Sequence, residues 1–222
     1  MKAPFLWLVL AALPALGEHQ EISLAPIGLY MQFQQPPPAA VADALKAEVD
    51  SIMRPSGLRF TWRELLAARG SDFSVELAVI TFKGRCDVIG LNPHASYTGP
   101  GTLGWTEISD GVILPFAGVD CQRIRGFLQR QLLRMPAESR EEAYGRALGR
   151  VLAHELYHVF AKTTNHGSCG VRKSKFTVEE LLSVSLQFDA GESLALRTSE
   201  THTALERAGI LKGTSSFSAE HF

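Results

Sequence analysis

His154-Glu155-Leu156-Tyr157-His158 is the stretch on which the reading of this chain turns. It has the form H-E-x-x-H and sits inside a long helical pattern. On a helix, residues four apart lie on one face, one turn above the other. Both imidazoles can therefore reach one metal ion. Glu155 then stands beside the open coordination position, where a base is needed to take a proton from an activated water. Past Ala147 the helix is apolar nearly all round, through Leu148, Val151, Leu152, Leu156, Val159 and Phe160. A buried helix carrying two histidines and a glutamate needs partners for them, and a metal is the natural one. Tyr157 points away from the His154/His158 face and is expected to pack. Ser139 and Glu142 form an S-x-x-E capping-box pattern at the start of the helix, with Glu141 adding charge to the first turn.

Two histidines do not complete a catalytic zinc site, which needs a third protein ligand and an open position. His166 follows His154 by twelve residues. A continuous helix would carry it about 18 Å along the axis and out of reach. The helix must therefore end near Lys162, with Thr163-Thr164-Asn165 as poor helix formers and Asn165 tolerant of a left-handed cap. Gly167 and Gly170 let the returning chain turn. Glu179 and Glu180 are alternative ligands. However, Thr177 with Glu180 reads as the capping box of another helix, which explains those acids without a metal. The expected set is His154, His158 and His166 holding Zn2+, with Glu155 as catalytic base.

Working outward, residues 21–33 read as a strand and 39–53 as an amphipathic helix with Val41, Leu45, Val49 and Ile52 on one side. Residues 58–62 and 74–82 read as further strands. The run 74–82 is the most β-like and is expected at the centre of the sheet. This order calls for an α+β fold with a mixed twisted sheet and a packed helix. Asp110-Gly111 between two strand-like runs, 101–107 and 112–116, signals a hairpin. Residues 120–134 read as a helix, and 193–208 as another. His94, in the glycine-rich stretch 83–101, is expected at the surface.

Residues 1–17 carry one lysine, an apolar run broken by Pro14, then Ala15 and Gly17, which is the pattern of a secretory signal peptide. The expected organisation is a leader at 1–17, one catalytic domain at 18–212 and a disordered tail at 213–222. The protein is expected to be secreted or periplasmic, monomeric, and without a stable membrane span after cleavage. Lys and Arg number 22 against 23 Asp and Glu, which gives no electrostatic case for a nucleic-acid partner. The three cysteines lack the paired C-x-x-C spacing of a structural zinc site. Spacing does not fix their connectivity. Cys86 with Cys121 is the expected pair, since both fall outside the metal region, and Cys169 is left over.

The H-E-x-x-H and the loop histidine together resemble the zincin metalloproteases, and more narrowly the metzincins. The run 154–171 is similar to uncharacterised exported bacterial proteins with H-E-x-x-H and a histidine twelve residues after the first. Residues 101–112 look like the metzincin edge strand that runs over the active-site cleft. The chain departs from the metzincin pattern at Ala161, which stands where a glycine is usual, and at His166, which comes two residues late. No methionine follows Met135, so the methionine turn is absent, and no tyrosine follows Tyr157 to serve as oxyanion donor. The resemblance implies a central active-site helix, hydrolysis of peptide bonds, a peptide or protein substrate, and substrate binding along Leu103, Gly104, Trp105 and Thr106.

Overall fold

The computed structural model describes residues 25–70, 72–92, 101–167 and 170–211. The expected leader, His94, Cys169 and the expected tail lie outside them. Five strands form one mixed sheet: β1 (Ala25–Phe33), β2 (Phe60–Glu64), β3 (Ser74–Lys83), β4 (Gly104–Ser109) and β5 (Val112–Asp120), in the order β2-β1-β3-β5-β4. The first four strands in that order run parallel, and β4 is antiparallel to β5. β3 is central, as its run of apolar and β-branched residues predicts. β4 ends the order, so its outer edge has no partner among the described residues.

Helix α1 (Ala39–Met53) makes the crossover between parallel β1 and β2. It buries Val41, Leu45, Val49 and Ile52. Ile27, Leu29, Ala78, Ile80, Phe82 and Val119 meet it from the sheet in one core cluster. Asp110 and Gly111 both take positive φ, as the two-residue turn between β4 and β5 requires. Helix α2 (Cys121–Arg134) follows β5, capped by the Asp120 carboxylate, which accepts from the Arg123 N–H. A Cys86–Cys121 disulfide ties the segment after β3 to the first residue of α2. Helix α3 (Arg140–Ala161) runs through the core and packs against α1. The fully buried Arg150 of α3 pairs with Glu48 of α1 at 2.6 Å and donates to the Glu180 carbonyl at 2.7 Å. Short helices α4 (Val178–Leu182), α5 (Ala190–Arg197) and α6 (Glu200–Arg207) complete the described chain. No helix among the described residues is long and apolar enough to cross a membrane.

Two expectations fail. The Ser139–Glu142 capping box does not form. A 3-10 turn at Ala137–Ser139 leads directly into α3, so Ser139 is already helical (φ −94°, ψ −9°) and its hydroxyl makes no cap. The helix expected at 193–208 is two helices. Thr198 ends α5, and the Ser199 side chain caps α6 by accepting from the His202 N–H. The Thr177–Glu180 capping box is present on α4.

Candidate metal centre

The end of α3 explains how three histidines meet. Lys162, not Asn165, takes the left-handed conformation (φ 50°, ψ 44°), and its N–H caps the His158 carbonyl. The chain reverses there. The Thr163 carbonyl comes to 2.6 Å from His158 Nδ1. Further on, the Val171 carbonyl lies 2.7 Å from His154 Nδ1. A carbonyl can only accept, so each Nδ1 carries the proton and each neutral ring presents an unprotonated Nε2. Those two Nε2 atoms are 3.1 Å apart. With no proton between them this is not a hydrogen bond but two lone pairs turned on one another, an arrangement a shared cation relieves. His166 closes the third side, its ring centroid 5.2 Å from that of His154 and 4.9 Å from that of His158. One nitrogen from each ring lies within 4.8 Å of the others. The donor set fits a metal that accepts imidazole nitrogen.

Burial keeps the pair ready for a cation. It depresses His154 to about 4, helped by the neighbouring His158 and His166 and opposed by the Val171 hydrogen bond. Burial lowers His158 as well. The glutamates do not enter the group. Glu180 is held by Lys173 and by the Thr177 N–H, and Glu179 is exposed.

Glu155 is 6% exposed and lies under β4. Burial raises its pKa to about 7, against the lowering effect of a Thr106 hydroxyl that donates to Oε2 at 2.8 Å. Gly104 lies on the same strand face. A Cβ added there would stand 2.7 Å from Glu155 Oε1 and 2.8 Å from Val151 Cγ1, so only glycine lets β4 approach this closely. Trp105 points the other way. Its indole lies over Gly118, with Lys83 Nζ 4.2 Å from the ring centroid. Leu103, Gly104 and Thr106 join the three histidines and Glu155 around a cleft of about 640 Å³. Tyr157 is 1% exposed and packs on Phe188, as expected of a packing residue.

Sequence reasoning places Thr106 along the expected substrate path and misses its hydroxyl on Glu155. Strand alternation was the available signal, since Gly104 and Thr106 are two apart and must share a face. Nothing in side-chain identity announces the Val171 and Thr163 carbonyls. In comparisons with protein-family models, curated proteins and solved structures, the chain finds no match.

Proposed function

We propose that this chain is an exported zinc-dependent peptidase in which His154, His158 and His166 hold the metal and Glu155 is the general base. The observation that carries the reading is the convergence of two carbonyl-pinned, unprotonated Nε2 atoms and a third imidazole beside a buried carboxylate. Zinc, when bound, supplies a Lewis-acid charge that acidifies water and polarises a carbonyl. Glu155 takes the proton from the attacking water and returns it to the leaving amine. Thr106 holds one carboxylate oxygen of Glu155, which leaves the other for that transfer. The free edge of β4 offers backbone groups to an extended peptide, which would add as a further strand. A structural zinc centre is closed by four protein ligands, and the group here has three among the described residues. The leader pattern at 1–17 and the Cys86–Cys121 disulfide both fit export to an oxidising compartment.

The test is metal analysis joined to a peptide-library digest. Wild type should carry about one zinc per chain, and His154→Ala or His158→Ala should carry none. Glu155→Gln should keep the metal and lose cleavage by roughly 10²-fold or more. Undiminished cleavage by Glu155→Gln would remove its role, and a wild type that binds zinc but cleaves nothing would make this a binding domain.

A further inference from the structure

Behind the metal group, Gly167 and the segment 170–173 lie around a carboxylate that the proposed reaction does not use. Glu192 is fully buried. Its Oε2 accepts from the Asp189 N–H at 2.9 Å, and its own N–H donates to Asp189 Oδ1 at 2.7 Å, closing the box that starts α5. Glutamine serves that box as well as glutamate does, so capping does not account for the charge. A buried carboxylate is costly unless something compensates it. Its second oxygen, Oε1, has no close side-chain hydrogen bond among the described residues. It lies 3.5 Å from Arg172 Nε, and the Arg172 charge and backbone N–H both favour the ionised carboxylate against burial.

Arg172 is built into the returning segment. Its carbonyl accepts from the Gly167 N–H at 3.0 Å, and its guanidinium lies 5.8 Å from the centroid of the Tyr157 ring on α3. Both glycines of the segment are pressed against this pair. A Cβ on Gly167 would come 3.0 Å from Arg172 Nε, and one on Gly170, whose φ is +66°, 3.1 Å from Glu192 Oε2. Arg172 is flanked by the group that matters most to His154, the Val171 carbonyl on Nδ1. His166, next to Gly167, is exposed.

We infer that Glu192, acting through Arg172, is a positioning residue that holds the Val171 carbonyl and His166 where the three histidines converge. This rests on the metal-centre reading. It predicts that neutralising either member of the pair loosens the third ligand while leaving His154 and His158 on α3.

The experiment titrates the full chain with Co2+ alone and follows the visible ligand-field bands, which report ligand number. Zn2+ affinity is measured by chelator competition. Glu192→Gln should fold with an unchanged far-ultraviolet spectrum, bind about 10–100-fold more weakly and show altered bands, as expected when an outer-sphere support is lost. Arg172→Gln should weaken binding in the same way, and the double variant should bind no worse than either single one. A bare charge effect gives another pattern: losing the anion weakens the cation, but losing Arg172 tightens it. That pattern, or wild-type affinity and bands in Glu192→Gln, overturns the proposal. If Glu192→Gln does not fold, the double variant, which buries no lone charge, carries the test. Weakened binding with altered bands then supports the pair, and wild-type behaviour overturns it. A wild type that takes up no Co2+ overturns the metal centre itself, and the role of Glu192 with it.

Discussion

Glu155 takes its character from two residues on one strand. Gly104 lets β4 come close enough to exclude water, and burial then raises the carboxyl to about 7. Thr106 opposes that rise with its hydrogen bond. On the proposed function Glu155 works unprotonated as the general base, so the rate should climb as pH rises through its pKa, which a bound cation would lower. Thr106→Val removes the donor at nearly constant volume. The carboxyl then rises further, and the acid limb of the kcat/KM profile should move to higher pH with the alkaline limb unmoved. An acid limb that stays in place would show that the hydroxyl does not touch the working base. The histidine pair was legible from spacing alone, because an i, i+4 relation on a helix fixes a shared face. The carbonyls that set the tautomers were not, because they depend on where the chain goes after α3 ends.

At the level of elements, α3 is the part that places everything else, and its contact with α1 is unusually close. A Cβ at Gly145 would stand 2.5 Å from the Val41 carbonyl oxygen, and one at Gly149 would stand 2.7 Å from that of Leu45. Both obstacles are backbone, which cannot swing aside. Glycine in a helix interior ordinarily costs about 1 kcal/mol relative to alanine. On propensity alone Gly149→Ala should therefore stabilise. The packing predicts the reverse, a loss of about 1–3 kcal/mol as the helices are forced apart, read from the denaturant midpoint. A gain in stability would show that α1 can retreat freely. Apolar periodicity revealed α1 and α3 because burying one face requires it. It did not reveal their separation, since glycine adds nothing to a hydrophobic pattern. The boundaries were harder for a related reason. Ser139 and Glu142 have the right identities for a box, but the 3-10 turn before α3 had already committed Ser139 to helical angles. Thr198 and Ser199 broke a helix that side-chain spacing alone would have continued.

Over the whole molecule, the two sides of the cleft are attached in different ways. The histidines belong to α3 and the chain just beyond it. β4, which covers Glu155, belongs to the segment between Cys86 and Cys121. Those cysteines are 35 residues apart and both essentially buried, and their disulfide closes a loop containing β4 and β5. The pair is the one expected from the two cysteines outside the metal region, though spacing alone left other connectivities open. The edge position of β4 was anticipated only through likeness to other proteins, since strand order is not written in periodicity. Closing a loop of this length removes freedom from the unfolded chain and stabilises the fold by about 4 kcal/mol in the chain-entropy account. Replacing both cysteines by alanine should lower stability by about that amount, measured by urea unfolding. The loss should be uneven. On the proposed function, the variant should still bind zinc under native conditions, because His154, His158 and His166 all lie outside the closed loop, while peptide cleavage falls as β4 loosens over Glu155. Zinc lost in step with cleavage would show that the metal centre depends on the covering strand. Cleavage retained at full rate would show that β5 alone holds β4 in place.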